Sequence, residues 1–197
     1  EITITHFAML GLNKERDGVY NDQDMAYSNS FPNVEERQKG NLQEISKRLK
    51  DYGPIGYGSF LIKKNLVILN DGTFAWEQEG DFYAVINKGN GRLLSVLRAY
   101  YYGDGKYHEI YKLVVQIFWI FVLMCLVIFS FDHKKEEEQT HLVIKLAILG
   151  IMIFLLIFEA RARYLYLYLP IFIIGATLGM NYLVDRCKIQ SNRQVED

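Results

Sequence analysis

Residues 113 to 131 read LVVQIFWIFVLMCLVIFSF, with Gln116 and Ser130 as the polar interruptions. The hydrocarbon core of a bilayer is about 30 Å thick and an α-helix rises about 1.5 Å per residue, so a run of this length and purity predicts a membrane-spanning helix. The expected fold class is therefore mainly α, in a membrane protein.

Two further apolar runs lie downstream. Residues 142 to 158, LVIKLAILGIMIFLLIF, are broken only by Lys145, whose stem can lie along the helix while its ammonium reaches the interface. Residues 164 to 184, YLYLYLPIFIIGATLGMNYLV, form the third. A single helix from 142 to 184 would be about 64 Å long, roughly twice the hydrocarbon thickness, so the chain reverses between them. The charges available for the reversal are Glu159, Arg161 and Arg163, within FEARARYLYLYLP (158 to 170). Three transmembrane helices are therefore expected in residues 111–197, with a short cytoplasmic tail. Tyr164, Tyr166 and Tyr168 alternate with leucines, and this period of two predicts an extended, tyrosine-lined ledge before Pro170 enters the first turn of the next helix.

The chain has 197 residues, 50% of them hydrophobic, and a net charge of −1. Those averages hide two solvents, because the continuous apolar content lies after residue 112 while Asp, Asn, Gly and Lys concentrate before it. Residues 1–110 are expected to form an irregular, mostly helical extramembrane segment. Leu42, Ile45, Leu49 and Tyr52 keep helical spacing within 34–52 and Gly53 stops that helix. A second helix is expected over 55–69, ending at Asn70-Asp71-Gly72, and a third over 91–102. Their apolar faces either pack on each other or lie along the bilayer. The near-neutral charge offers nucleic acid no partner. The chain opens at Glu1, and a piece of a longer protein is expected.

Sidedness is read from the basic residues. Lys134 and Lys135 after the first span and Arg186, Lys188 and Arg193 in the tail share one side across two spans, and positive charge favours the cytoplasm. Residues 1–110 and the FEARAR turn then lie outside.

Among candidate sites, Asp22 and Asp24 have the spacing of a divalent-cation pair, although such pairs are common in solvated loops. His6, His108, His133 and His141 are scattered and form no zinc pattern. Asp71 and Trp76 in NDGTFAW, followed by Glu77 and Glu79, could present an aromatic platform beside carboxylates for a sugar or acceptor, or could be no more than a capped turn with an interfacial tryptophan. Arg161 and Arg163, with Tyr164 beside them, suit a phosphate, because guanidinium forks bind phosphate oxygens bidentately. An interfacial belt of Tyr and Arg is the plainer alternative. If the helix continued, Glu159 would pair with Arg163 at i,i+4 and leave Arg161 available. No residue stands out as a catalytic acid or base.

Three stretches together, THFAMLGLN with GVYNDQD (5 to 24), NLQEISKRLKDYG to NDGTFAW (41 to 76), and FEARARYLYLYLP, resemble the C-terminal region of large multispanning bacterial glycosyltransferases. Their relatives are glycosyltransferase family 39, which includes protein O-mannosyltransferases, and the aminoarabinose transferases that modify lipid A. The resemblance implies an enzyme that transfers a sugar from a polyprenyl-phosphate donor at the outer membrane face by an inverting mechanism, with a divalent metal as a candidate cofactor. Arg161, Arg163 and Tyr164 would then hold the donor phosphate. The family's catalytic aspartate, in an outer loop near the N-terminus, has no counterpart here, so this chain alone is expected to be inactive and to depend on an N-terminal part of the same protein. The rival expectation is a non-catalytic membrane subunit, or a polymerase or ligase of envelope polysaccharide.

Overall fold

The computed structural model describes residues 2–76, 89, 91–132 and 138–196. Among them the chain is helical and contains no strand: α1 (Ile4–Leu10), α2 (Asp22–Asn29), α3 (Val34–Leu69), α4 (Arg92–Tyr101), α5 (His108–Ser130), α6 (Glu138–Ile157), α7 (Arg163–Tyr166) and α8 (Leu169–Glu196). They divide into two compact units, Glu1–Asn70 with Ile151–Tyr164, and Asp71–Gly150 with Leu165–Asp197.

In the first unit, α3 contains the two helices expected over 34–52 and 55–69, separated at Gly53. That residue has φ +60° and ψ 172°, a backbone position open to glycine almost alone, and Pro54 comes next. The N-terminus of α3 is capped by Asn33, whose Oδ1 accepts from the Glu36 N–H at 2.8 Å. Asn21 caps α2 in the same way, accepting from the Gln23 N–H at 2.7 Å. Asp22 and Asp24 are not loop residues: they lie in the first turn of α2, where acidic side chains suit the helix dipole. Met9, Leu10, Phe60, Ile68 and Leu155 build the apolar part of the core, and Ala160 is fully buried beside them.

In the second unit, Trp119 of α5 is buried between Phe74 (5.0 Å between ring centroids) and Phe172 of α8 (6.1 Å). Gly175 faces Leu126, and Gly179 lies so close to the Cys125 carbonyl that no Cβ would fit. Successive contacts thus advance together along α5 and α8, which run in the same direction with small residues at the closest approach. Gln116, the polar interruption of the first apolar run, accepts from the Gly72 N–H at 2.8 Å. Ser130 folds back on the Val127 carbonyl at 2.6 Å. Each polar side chain inside the run therefore has a partner.

Two helices among the described residues are long and apolar enough to cross a membrane, α5 over His108–Ser130 (23 residues) and α6 over Gln139–Ile157 (19 residues). The expected third span falls short. Residues 163–166 form their own helical turn, so α8 starts at Leu169 and meets Asp185 and Arg186 after an apolar stretch that rises only about 24 Å. The ledge is likewise not extended: the Tyr164 N–H donates to the Arg161 carbonyl and the Tyr168 N–H to that of Leu165. Three Tyr-Leu pairs are too short a window for a period of two to outweigh one turn of helix. Pro170 does fall in the first turn of α8, where its missing N–H costs nothing.

Candidate functional site

The FEARAR turn begins where α6 ends at Ile157. Ala160 donates its N–H to the Gly18 carbonyl at 2.7 Å, pinning the turn to the loop after α1. Gly18 has φ +81°, and a Cβ there would meet the Gly11 carbonyl and the Lys64 stem. Ala160 and Ala162 point inward and are buried, whereas Arg163 is exposed and Arg161 half-buried. Glu159 is buried and organises the turn. Its Oε1 accepts from Arg161 Nε at 2.9 Å and its Oε2 from the Tyr164 hydroxyl at 3.1 Å. The helix has ended at Ile157, before Glu159, so the regular i,i+4 spacing to Arg163 is lost and the Glu159 carboxylate pairs with Arg161 two residues on. Arg161 also sits over the Tyr20 ring, 5.7 Å from its centroid, and Arg163 over the Tyr164 ring at 5.4 Å. Burial pushes the Tyr164 hydroxyl above its ordinary pKa. A hydrogen bond with Asp22 does the same for Tyr20.

Beneath the turn lies Lys64. Its side chain is fully buried, and Nζ donates to the carbonyls of Gly11 (2.5 Å), Leu156 (2.8 Å) and Phe158 (2.6 Å). Leu156 and Phe158 carry carbonyls left over at the C-terminal end of α6, and Gly11 is the C-cap of α1, so one ammonium closes the negative ends of two helices. Burial pulls the Lys64 pKa down to about 7 while the Glu159 carboxylate pulls it up. In the second unit, Lys145 does comparable work for α5, donating to the Asp132 carbonyl at 2.6 Å and the Ser130 carbonyl at 3.3 Å. Hydropathy alone directs that ammonium to the interface and names no partner for it.

A chain matched over residues 1–184 by a family model described as "conserved hypothetical integral membrane protein" needs no further sorting between soluble and membrane folds. It belongs to that family. No curated protein and no solved structure matches it. Membership in an integral membrane family assigns the exposed apolar side chains of α5 and α6 to lipid, since those helices bury little of their surface in the protein.

The remaining polar core of this family member is joined mostly by contacts between residues distant in sequence. Arg48 grips Asp24 through two nitrogens (2.6 and 3.0 Å), Glu44 through Nε (2.9 Å) and the Met9 carbonyl (2.9 Å), while Asn13 donates to Asp24 at 2.7 Å. Asp24 is thus engaged by a guanidinium and an amide, and among the described residues no group of three or more His, Cys, Asp or Glu could hold a metal. His6 is buried with both ring nitrogens unpartnered. Burial lowers its pKa, with Glu159 and Asp24 pulling up and Arg37 down. A cavity of about 310 Å³ opens beside this network, lined by Lys14, Glu15, Gln23, Asp51 and Tyr52 among others. Arg161, Arg163 and Tyr164 do not line it.

Asp71 and Trp76 belong to the second unit. Both Asp71 oxygens serve its own turn, Oδ1 accepting from the Thr73 N–H (2.7 Å) and hydroxyl (2.6 Å), and Oδ2 from the Ala75 N–H (2.6 Å). Trp76 Nε1 donates to the Tyr101 carbonyl at 2.5 Å. This is the geometry of the capped turn. Glu77 and Glu79, the rest of the expected platform, and Lys134 and Lys135 lie outside the described residues.

Proposed function

We propose that this chain is the C-terminal part of an integral membrane glycosyltransferase that takes a sugar from a polyprenyl-phosphate donor, its Arg161–Arg163 turn holding the donor phosphate. The observation that supports this reading is the placement of the Arg161 guanidinium, fixed by Glu159 and Tyr20 directly after the end of a membrane helix. A fork held in place loses less freedom on meeting a phosphate than one waving in solvent. Arg163, exposed at the same turn, supplies a second fork. Residues 1–110 lie outside in this reading. In the same reading the tail is cytoplasmic, and α8, running in the direction of α5, reaches that side although its apolar stretch is shorter than those of α5 and α6. The sugar acceptor belongs to the cell envelope, and catalysis requires an acid or base from elsewhere in the full-length protein, because Asp24, Glu159 and Lys64 are all committed to structural partners. That same commitment favours the second reading, a membrane subunit that positions a lipid-linked sugar without reacting with it.

Arg163 offers the cleaner test, since Arg161→Ala also strips buried Glu159 of its guanidinium. Arg163→Ala should weaken binding of polyprenyl phosphate to the detergent-solubilised chain by about tenfold to 150-fold, the loss of one charge-assisted contact of about 1.5–3 kcal/mol. Arg163→Lys should recover part of it, and polyprenol without phosphate should bind all variants equally weakly. Equal binding of polyprenyl phosphate by all three proteins would reduce the arginines to an interfacial belt.

A further inference from the structure

Helix α4 carries Leu93, Val96, Leu97, Tyr100 and Tyr101 at the i, i+3, i+4, i+7, i+8 spacing of a single face, and all five are exposed, Leu93 at 73%. No side chain of α4 is buried. Contiguous apolar surface of this kind on an integral membrane protein calls for an occupant. The start of α5, to which α4 is joined, identifies that occupant.

The C-terminal end of α4 is tied to the first turn of α5. The Tyr107 N–H donates to the Ala99 carbonyl at 2.7 Å, the Tyr100 ring stacks on Tyr107 at 5.0 Å, and the Tyr101 ring meets Tyr111 edge-on at 4.7 Å. Gly105 lies against the Arg98 and Ala99 carbonyls, where a Cβ would collide. Helix α4 is therefore anchored at the mouth of a membrane span whose own side chains Leu113, Val114, Ile117 and Phe118 are exposed to lipid. Tyrosines cluster at this junction, as they do at the boundary between headgroups and acyl chains. The charges around α4 are Arg92, Arg98 and Lys106 against Asp104, a basic balance that suits anionic headgroups.

We infer that α4 lies in the plane of the membrane surface, its Leu93–Tyr101 face sunk into the boundary between headgroups and acyl chains and continuous with the lipid-facing surface of α5. The partner is the lipid surface itself. Neither a soluble protein nor a second copy is needed to cover the face.

Leu97→Cys and Ser95→Cys, each in the full chain with Cys125→Ala and Cys187→Ala, place a nitrobenzoxadiazole probe on the apolar face and on a different exposed face. In vesicles of phosphatidylcholine with phosphatidylglycerol, emission from position 97 should shift to the blue. It should lose most of its intensity to a nitroxide placed shallow in the lipid chain, and resist an aqueous quencher. Position 95 should show the reverse preference for the aqueous quencher. Equal aqueous quenching at both positions would overturn the inference, leaving α4 in solvent. Shielding of position 97 from both quenchers would overturn it as well, because protein would then cover the face.

Discussion

At Lys64 an ammonium stands where water would solvate the end of an exposed helix. Its three N–H groups meet three carbonyls, which is why a lysine is tolerated on the face that also carries Phe60 and Ile68. Lys64→Met would leave those carbonyls buried and unpaired, and relief from burying a charge offsets only part of that. A loss of about 2–4 kcal/mol is expected from denaturation in mild detergent. Folding lowers the Lys64 pKa from the roughly 10.4 of an exposed lysine to about 7. The unfolded chain therefore binds more protons than the folded one between those values, the burial penalty is fully present below about 7, and stability climbs as pH rises across the window. Melting temperatures from pH 7 to 10 should rise for the wild type, and the methionine variant should lack this rise; parallel slopes would deny the shift. The position was legible in part, since residues 60, 64 and 68 share a helical face. Its partners were not, because the carbonyls of Leu156 and Phe158 are more than ninety residues away in sequence. A long separation likewise hid Arg48 from Asp24, and two aspartates at i,i+2 resemble a loop although they open a capped helix.

Among the elements, those with a clean local signal were legible: α3 breaks at Gly53, α4 spans Arg92–Tyr101, and α5 and α6 coincide with the first two apolar runs. The failures occur where a short pattern competed with packing. YLYLYLP has the alternation of a strand, yet Leu165 is fully buried while Leu167 is 76% exposed, so the leucines do not share one face. Two glycines make element-scale predictions. Gly53 meets no neighbouring atom, so Gly53→Ala tests backbone strain alone and should cost about 1–3 kcal/mol. At Gly179 the backbone is ordinary and the space is not. Gly179→Ala should push α8 off the Cys125 carbonyl, with a loss of about 1–3 kcal/mol from overpacking. Circular dichroism melts in detergent would measure both losses, and thiol labelling would separate their causes. The first substitution should leave α5–α8 packing intact, whereas the second should loosen it and make the buried Cys125 thiol reactive. An unreactive Cys125 in Gly179→Ala would mean that α8 accommodates the methyl group without moving.

At the scale of the molecule, the mainly helical membrane class was legible because lipid imposes length and purity on a sequence in a way that a soluble core does not. The polar half was harder to read. Buried His6, Asn13, Asp24, Asn41 and Glu159 give the first unit a core that hydropathy patterns misassign to the surface. Sidedness rests on few charges and needs its own test, and the structure chooses the reporter. Ser28 is buried and accepts from Asn41 at 3.1 Å, so a cysteine there would be silent on either side of the membrane. Ser46 is exposed on α3 and suits the purpose. In a background of Cys125→Ala and Cys187→Ala, Ser46→Cys should react with a membrane-impermeant maleimide on intact cells if residues 1–110 face outward. The native Cys187, exposed on α8 beyond Val184, should react only after the membrane is opened when it is the sole cysteine. In the proposed topology the two reporters give opposite answers, Ser46→Cys from outside and Cys187 from the cytoplasmic side. Protection of Ser46→Cys until permeabilisation would place the arginine turn inside, out of reach of a donor presented at the outer face. Labelling of both without permeabilisation would mean that the C-terminal end of α8 returns to the outer side.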